Sequence, residues 1–371
     1  MGIAALERFA VMTLSTTDAF KKWRKRSIFK DGCHRRMRIS LLTLMIVLFS
    51  CQLLAGQSTT DQAPEDTAQR YLILVRGVDG NADYQRLFSE TVEQWRAAAK
   101  AAGMRTQMVE RSDGSPSSRQ QLQDHLRAAV DVDELWVVLI GHGTFDGQTA
   151  KFNLQGEDVS AKELGSWLKD RTKTTVVINN AASSAPFITE LTGPNRIVIT
   201  STKSGYEMSF AHFGRFLAEL LTEENIDLDK DNRTSLLEAV IVAAGRTMEF
   251  YQSDSRLPTE HALVDDNGDG LGTPVEWYRG VQVNREIKVG EEIDGIRANQ
   301  IFLSPGNEAT RLTSEQIEER DQLERELETL RRQKKSLTEA QYYQKLEAIM
   351  LRLGKLYLSP PPEQIPQAAD Q

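Results

Sequence analysis

The sequence predicts an α/β fold: a three-layer, doubly wound and mostly parallel sheet, followed by a C-terminal helical hairpin. Between residues 71 and 221, short apolar runs rich in β-branched residues alternate with amphipathic segments. Runs that are apolar throughout are typical of strands buried on both faces, and such strands form parallel sheets covered by helices on both sides. In the tail, stripes of Leu and Ile run through segments rich in Glu, Arg and Lys, which predicts paired helices.

The predicted strands and helices follow one another along the chain. The strands cover residues 71–75, 105–110, 135–140, 174–178 and 197–200. The helices, in which apolar side chains recur at helical spacing, cover residues 83–102, 117–130, 160–170, 210–221 and 235–252. In an open parallel sheet, ligands bind beyond the carboxyl ends of the strands. The residues that follow each strand are therefore the candidate functional residues.

Other segments flank this domain, which we place at residues 70–300. A basic and apolar segment covers residues 1–56, and a polar linker covers residues 57–69. The helical hairpin is predicted at residues 314–358, with Ser336-Leu337-Thr338-Glu339 as a capping box between its helices, and a disordered Pro-rich end follows at residues 359–371. Two readings of the hairpin stay open: it packs on the domain or on a partner, or it is a solvated pair of helices.

Charge is distributed unevenly along the chain. The first 56 residues contain ten Lys and Arg against three Asp and Glu, a net charge of +7, and the rest contain 35 against 50, a net charge of −15. Because phosphate binding needs a basic surface, the acidic remainder argues against a nucleic-acid partner. The acidic part of the chain is instead suited to binding divalent cations.

The N-terminal segment has the pattern of an export signal. A cluster of Lys and Arg precedes an uncharged apolar run at residues 40–56, which ends in small residues. Three outcomes stay open: cleavage near Ala55-Gly56, lipid attachment at Cys51, or retention as a membrane anchor. We therefore expect a protein that is exported to the periplasm or the extracellular side, or that is anchored in the membrane and faces outside the cytoplasm.

Cys33 and Cys51 are the only cysteines of the chain. Both lie in the N-terminal segment, so the domain that follows has neither a disulfide framework nor a thiol nucleophile. Chemistry that depends on a cysteine is excluded in that domain.

Two predicted strands end in motifs that stand out. The first is Ile140-Gly141-His142-Gly143, and the second is Asn180-Ala181-Ala182-Ser183-Ser184-Ala185. Together they resemble the caspase and legumain group of cysteine peptidases, in which one strand ends in His-Gly and the next sheet strand ends in an acidic residue, Ala, Cys, any residue, Ser and Gly. The resemblance covers about residues 71–221 and implies a caspase-like fold. It aligns His142 with the histidine of the catalytic dyad and Ala182 with the cysteine.

Weaker matches extend the resemblance to a substrate groove. Gly143 and Asn180 lie inside the two motifs, and the specificity arginine of legumain falls on Gln85. Residues 199–202 and 207–210 resemble the legumain stretch that lines the substrate pocket, which places Ser201 and Glu207 there. The resemblance implies a groove that these residues line.

The alanine at position 182 decides what chemistry the motif can perform. A cysteine peptidase attacks with a thiolate, and the methyl group of Ala182 has no lone pair. Ser183 and Ser184 flank this position, and a serine with His142 as base would form a minimal dyad. However, neighbouring side chains on a turn point in different directions, and the resemblance makes Ser184 a structural residue.

Two acidic segments after the last predicted strand match calcium-binding loops. Residues 227–238 place oxygen donors at positions 1, 3, 5, 9 and 12 of an EF-hand loop: Asp227, Asp229, Asp231, Ser235 and Glu238. Residues 265–276 repeat the pattern with Asp265, Asn267, Asp269 and Glu276 as donors, Gly270 at position 6 and Thr273 at position 9. We treat residues 227–276 as a calcium-loop insert of the domain and Ca²⁺ as its one predicted cofactor, in a structural role. The alternative is that these residues form turns and helix caps.

Three functional hypotheses follow from the sequence. The leading one is a pseudopeptidase, exported or anchored, that binds a peptide or protein as a scaffold. A second is a rewired hydrolase that uses a serine near His142. A third is a regulator that dimerises with an active caspase-like relative, and a homodimer or a heterodimer is possible in either non-catalytic case.

Overall fold

The computed structural model of the chain describes residues 69–110, 116–221, 226–230, 233–284, 293–302 and 312–358. The apolar run at residues 40–56, the Pro-rich end and the predicted calcium ligand Asp231 lie outside the described residues. Within these ranges, none of the helices combines the length and apolar character that a membrane span requires. The predicted export signal therefore stays a prediction.

Twelve strands form one large sheet and two small ones in the described residues. In chain order the strands are β1 (Arg70–Arg76), β2 (Arg105–Val109), β3 (Glu134–Ile140), β4 (Gly143–Phe145), β5 (Ala150–Phe152), β6 (Val159–Ser160), β7 (Thr174–Asn179), β8 (Arg196–Thr200), β9 (Leu263–Asp265), β10 (Thr273–Pro274), β11 (Tyr278–Arg279) and β12 (Gln282–Val283). The large sheet has the order β10-β9-β8-β7-β3-β1-β2. Its pairs from β2 to β8 are parallel, and β9 and β10 add an antiparallel edge. The predicted, mostly parallel sheet is confirmed.

Helices cover both faces of the large sheet. In chain order they are α1 (Ala82–Ala101), α2 (Ser118–Ala128), α3 (Ala161–Leu168), α4 (Pro186–Leu191), α5 (Phe213–Leu220), α6 (Leu236–Ser253), α7 (Ile296–Gln300), α8 (Ser314–Arg332) and α9 (Glu339–Leu358). One core contains buried residues of α1, α5 and α6, and the other contains buried residues of α2, α3 and α4. Strand β1 explains the uniform apolar runs of the sequence, because Leu72 and Leu74 enter the first core while Ile73 and Val75 enter the second. The three-layer architecture is thus confirmed.

Helix α5 begins later than the sequence predicts. Residues 210–212 were expected in that helix, but it starts at Phe213. The reason is a distant carboxylate: Glu260 accepts hydrogen bonds from the backbone N–H groups of His212 (2.7 Å) and Phe213 (3.0 Å). These N–H groups have no acceptor within the first turn of a helix, so the carboxylate caps α5 and leaves residues 210–212 in a loop.

The predicted C-terminal hairpin is confirmed. Leu323 and Leu330 of α8 form a small buried cluster with Tyr342, Ile349 and Leu356 of α9. The predicted capping box between the helices is wrong by two residues. Thr338, rather than Ser336, exchanges hydrogen bonds with the residue three positions on, since the Thr338 N–H donates to the Gln341 side chain (3.1 Å) and the Gln341 N–H donates to Thr338 Oγ1 (3.3 Å).

Candidate functional site

The two sequence motifs meet at one end of the large sheet. Strands β3 and β7 are parallel neighbours, with Leu139 opposite Asn179. Three residues beyond this pair lie His142 on one strand end and Ala182 on the other. The Asn180 N–H continues the contact by donating to the Leu139 carbonyl oxygen at 3.0 Å. The motif that contains His142 and the motif that contains Ala182 are therefore side by side.

Gly143 is the point of closest approach between the two motifs. A Cβ atom at Gly143 would lie 2.3 Å from the carbonyl oxygen of Ala182 and 3.1 Å from the Cβ of Ala181. No side chain fits in that space without moving backbone. The sequence of the first motif thus permits its backbone to pack against the Ala182 peptide.

The His142 ring is held by groups that do not belong to either motif. Its Nε2 atom lies 3.3 Å from the carbonyl oxygen of Asp79, so the tautomer that is protonated at Nε2 donates a hydrogen bond there. Tyr84, Phe88 and Phe210 surround the ring, with centroid distances of 4.7, 5.2 and 5.9 Å. The orientation of the imidazole is fixed by aromatic packing and one carbonyl.

The two serines beside Ala182 are buried. Ser184 exchanges a hydrogen bond with the Thr202 hydroxyl (3.1 Å) and accepts one from the Thr202 N–H (3.2 Å). Ser183 has a positive φ of 55°, which is unusual for a residue with a side chain. Its Oγ atom has no hydrogen-bond partner within the described residues. Neither hydroxyl is hydrogen-bonded to His142.

The residues of the expected groove occupy different environments. Gln85 is exposed on α1, whereas Asn180 and Ser201 are buried. Ser201 Oγ donates to the Asn179 carbonyl at 3.3 Å, and Asn180 packs against Gly214 of α5, where an added Cβ would lie 2.4 Å from the amide carbon. Both polar atoms of the Asn180 amide lack a hydrogen-bond partner in the part of the chain that the structure describes.

Glu207 is tied to a residue that the sequence did not single out. Its Oε1 lies 2.6 Å from Nδ1 of His261, its Oε2 accepts the Lys203 N–H at 2.9 Å, and its carbonyl oxygen accepts the Ser183 N–H at 2.9 Å. This residue therefore connects the loop after β8, the Ala182 turn and the segment before β9. The sequence predicted Glu207 as a site residue but not its contact with His261, because the two residues are 54 positions apart.

An open cleft of about 590 Å³ lies next to the aromatic side chains around His142. Tyr84 and Phe210 line both the His142 ring and this cleft. The remaining lining residues come from α1, the loop before α5, the first turn of α5, the end of α6 and the segment that follows it: Asp83, Arg86, Leu87, Glu90, Ser209, His212, Arg215, Tyr251, Arg256, Leu257 and Thr259. Its volume lies in the range of small-ligand and side-chain pockets.

Tyr251 and His212 line this cleft, and both donate hydrogen bonds to the buried carboxylate of Glu260, Tyr251 from its hydroxyl and His212 from its backbone N–H. The Tyr251 hydroxyl donates to Glu260 at 3.0 Å, and burial raises the pKa of Tyr251 to about 12. Burial also raises the pKa of Glu260 and lowers the pKa of His212. The shifts of Tyr251 and His212 both favour the uncharged form of the side chain.

The first predicted calcium loop brings three of its donors together. Oxygen atoms of Asp227, Asp229 and Glu238 lie within 4.8 Å of one another. Glu238 has a second role, since its Oε2 accepts hydrogen bonds from the Ser235 N–H (2.8 Å) and hydroxyl (2.9 Å) in the capping box that starts α6. Burial is the main cause that raises the pKa of Glu238. The arrangement can hold a cation, and it can also serve as a helix cap.

The second predicted loop is part of the sheet edge. Asp265 ends β9 and accepts the Gly268 N–H at 3.1 Å, Asn267 and Asp269 bond to each other, and Glu276 lies in a 3₁₀ turn after β10. Within the described ranges, only Asp227, Asp229 and Glu238 gather as a group of three candidate ligands, so Asp265, Asp269 and Glu276 do not. As the sequence predicts, no regular helix follows this loop before Asn284.

Comparisons with known proteins give a likeness in structure. No family model matches the chain, and no curated protein matches its sequence. The crystal structure of the Drosophila initiator caspase Dronc is similar with a TM-score of 0.37 and 9% identity, over 58% of this chain and 88% of that one. Caspase-1 from Spodoptera frugiperda gives a TM-score of 0.36 and 10% identity, over 57% and 92%. At these identities the likeness concerns the fold alone.

Proposed function

We propose that this chain is a caspase-like pseudopeptidase, exported or anchored outside the cytoplasm, that binds a peptide or protein without cleaving it. One observation carries the proposal: the β3 end with His142 and the β7 end with Ala182 are adjacent, and the position that aligns with the nucleophile is a methyl group. Without a lone pair at that position, the site cannot form an acyl-enzyme by the route of cysteine peptidases. The adjacent cleft supports binding.

The packing of His142 supports the same proposal. A general base must reach the proton that it removes. The only hydrogen bond described for the His142 ring goes to the Asp79 carbonyl oxygen, and three aromatic side chains cover the ring. Among the described residues the ring thus has no hydroxyl or thiol partner from which it could take a proton.

The first experiment tests cleavage and binding together. The purified protein is incubated with a diverse peptide library, and we expect no new peptide termini by mass spectrometry but retention of a subset of peptides by the immobilised protein. Arg256→Ala in the cleft should change the retained subset, whereas Arg127→Ala, an exposed arginine at the end of α2, should not. Cleavage that His142→Ala abolishes would refute the proposal.

A second experiment tests the alignment of Ala182 with the lost cysteine. In a background with Cys33→Ser and Cys51→Ser, Ala182→Cys introduces the single thiol of the chain. A neighbouring histidine lowers the pKa of a thiol, and one unit of pKa changes the thiolate fraction about tenfold. We expect iodoacetamide to modify this thiol about tenfold more slowly when His142→Ala is added. Equal rates would show that the side chains at positions 142 and 182 are not neighbours, and this would contradict the alignment.

One observation favours a rewired hydrolase as the second candidate function. Ser183 combines a positive φ with a buried hydroxyl that has no partner among the described groups, and such strain is concentrated at functional sites. A fluorophosphonate probe that labels Ser183 would support this candidate. Labelling that persists in Ser183→Ala but is lost in Ser184→Ala would move the reactive group to the hydroxyl that is bonded to Thr202.

We further propose that the loop of Asp227, Asp229 and Glu238 binds Ca²⁺ and fixes the segment before α6. The support is the convergence of three carboxylates in a protein whose residues after position 56 carry a net charge of −15. Removing like-charge repulsion by a bound cation stabilises the folded state. The test of this site is argued in the Discussion.

A further inference from the structure

Residues 207–213 contribute part of the cleft wall, and two consecutive residues before β9 hold this segment at its two ends. At the α5 end, the Glu260 carboxylate accepts two backbone N–H groups, at 2.7 and 3.0 Å. At the other end, Nδ1 of His261 lies 2.6 Å from Oε1 of Glu207. Phe210, which lies between these ends, lines the cleft. The position of this part of the wall therefore depends on Glu260 and His261.

The two anchors differ in what they hold. Glu260 is buried and caps α5, so its loss would affect the helix as well as the cleft. The side chains of His261 and Glu207 are 18% and 14% exposed, and their contact holds a loop. Because the Glu207 carboxylate accepts a hydrogen bond from the tautomer protonated at Nδ1, it fixes the orientation of the imidazole. His261 is therefore the anchor whose role can be separated from folding.

Glu207 connects His261 to the turn that contains Ala182. While its side chain contacts His261 and accepts the Lys203 N–H at 2.9 Å, its carbonyl oxygen accepts the Ser183 N–H, also at 2.9 Å. Ser183 has a φ of 55°, a conformation that persists only where the surrounding structure enforces it. The backbone of the residue after Ala182 is thus held by the residue that His261 holds.

Phe145 of β4 supports the same loop by packing. A Cβ atom at Gly205 would lie 2.5 Å from Cδ1 of Phe145, and the Tyr206 ring meets the Phe145 ring edge-on at a centroid distance of 5.3 Å. These contacts fix the distance between the loop and β4, but they leave the direction of the Glu207 carboxylate free. The contact with His261 supplies that direction.

We propose that His261 is a positioning residue of the peptide-binding site. Through Glu207 it holds the Ala182 turn and the part of the wall around Phe210 in the arrangement that accepts a peptide, a role that rests on the proposed function. Without the His261 contact, the loop and the turn should open while the sheet and the helices stay intact. A site that spends only a fraction of the time in its binding arrangement loses affinity by that fraction.

The first test measures the turn itself in the full-length chain and needs no peptide. His261→Ala should accelerate amide hydrogen exchange about tenfold in residues 181–185 and 203–208 and leave exchange in β1 and β3 unchanged, because the opening is local. His261→Asn should restore the wild-type rate, since the amide nitrogen of asparagine takes the place of Nδ1 and donates to Glu207. In His261→Gln the amide nitrogen takes the place of Nε2 instead, so exchange should stay fast.

The second test determines whether His261 acts through Glu207. Glu207→Ala alone should accelerate exchange in residues 181–185, and adding His261→Ala should change the rate no further, because two residues of one contact have non-additive effects. His125→Ala is the matched control, since His125 lies on α2, which packs against the other face of the sheet. That variant should exchange like the wild type in residues 181–185.

The third test uses the peptide library of the proposed function. His261→Ala should retain at least about fivefold less of the peptides that the wild type retains, because its site is open most of the time. His261→Asn and His125→Ala should retain wild-type amounts. A wild type that retains no peptide would refute the proposed function and with it the role in binding, whereas the exchange rates would still decide whether His261 holds the turn.

Four results would overturn the inference. The first is exchange in residues 181–185 that His261→Ala leaves at the wild-type rate. The second is exchange that becomes equally fast in β1 and β3, which would show a general loss of stability. The third is an additive effect of His261→Ala and Glu207→Ala. The fourth is a His261→Ala protein whose turn exchanges faster but which retains the same amount of peptide as the wild type, which would leave His261 with a structural role alone.

Discussion

At the scale of single residues, the site depends on two small residues, Ala182 and Gly143, whose backbones pack closely together. The Ala182 carbonyl oxygen occupies the space where any side chain at position 143 would stand, and the His142 ring is held from the opposite side by Asp79 and aromatic rings. Neither interaction needs a thiol at position 182. The His142 ring is therefore held in place with a methyl group at position 182.

The contact at Gly143 makes a sharp stability prediction. Gly143→Ala should destabilise the protein by about 1–3 kcal/mol, because the new methyl group meets a backbone carbonyl that cannot rotate away. Denaturant unfolding measures the loss. Gly245→Ala in α6 is the matched control, since nothing lies within 4 Å of its added Cβ and alanine favours a helix by up to ~1 kcal/mol. Equal stability of Gly143→Ala and the wild type would contradict the close packing of the two motifs.

The site was only partly predictable from sequence. The order of the motifs predicted that His142 and Ala182 lie on adjacent strand ends, because parallel strands in a doubly wound sheet end at the same edge. The aromatic contacts of Phe88 and Phe210 and the pair of Glu207 with His261 could not be predicted. They join residues far apart in the chain, and no local pattern encodes which side chains will meet.

At the scale of elements, the long elements follow from local pattern and the short ones do not. Strand β3 and helix α6 begin and end within one residue of their predicted limits, because long apolar runs and a Ser-x-x-Glu cap mark them. Strands β4 to β6, β9 and β10 have two or three residues each and carry no periodic signal. Their pairing depends on the sheet that they join.

Variants in the segment before α6 can distinguish the effect of metal binding from the effect of helix capping. Asp227→Asn with Asp229→Asn should abolish stabilisation by Ca²⁺ while leaving the melting temperature in EDTA equal or higher, since the change removes repulsion between carboxylates. Glu238→Gln should lower the melting temperature with and without Ca²⁺, because it also disrupts the cap of α6. Thermal unfolding at ~100 times the dissociation constant should show about 2.7 kcal/mol of stabilisation in the wild type. No effect of Ca²⁺ on the wild type would leave only the capping role.

Phe302 connects the helical hairpin to the α/β domain. The guanidinium groups of Arg233 and Arg320 lie 3.8 and 5.6 Å from its ring centroid, and its carbonyl oxygen accepts a hydrogen bond from Arg70 at 2.9 Å. Phe302→Ala should weaken this connection by ~1–2 kcal/mol through lost cation–π contacts. We expect faster amide hydrogen exchange in α8 and unchanged exchange in β1 and β3. Phe302→Leu keeps the apolar volume without the ring, so the rate of exchange in α8 should lie between those of the wild type and Phe302→Ala. Exchange rates in α8 equal to that of the wild type in both variants would contradict this role.

At the scale of the whole molecule, two carboxylates connect the antiparallel edge of the sheet to α7. Asp266 accepts hydrogen bonds from the N–H groups of Gly295 and Ala298, both at 2.8 Å. Asp294 in turn accepts the Asp266 N–H at 2.9 Å and the Thr273 hydroxyl at 2.6 Å. Both side chains are buried, and burial raises the pKa of Asp266 to about 6 and that of Asp294 to about 7. The bonds that join the edge strands to α7 thus require two carboxyl groups to be buried.

These shifts predict how stability changes with pH. The folded state binds protons more tightly than the unfolded chain, in which an aspartate has a pKa of about 3.9, so the contribution of both groups is complete below pH ~4 and is lost as the pH rises towards 7. Asp294→Asn removes one titration and keeps an oxygen for the Asp266 N–H. In EDTA, we expect this variant to match the wild type near pH 5, to exceed it at pH 8, and to have a shallower slope between them. Urea unfolding from pH 4.5 to 8.5 measures that slope, and a variant that loses stability with pH as steeply as the wild type would show that Asp294 is not the group that titrates.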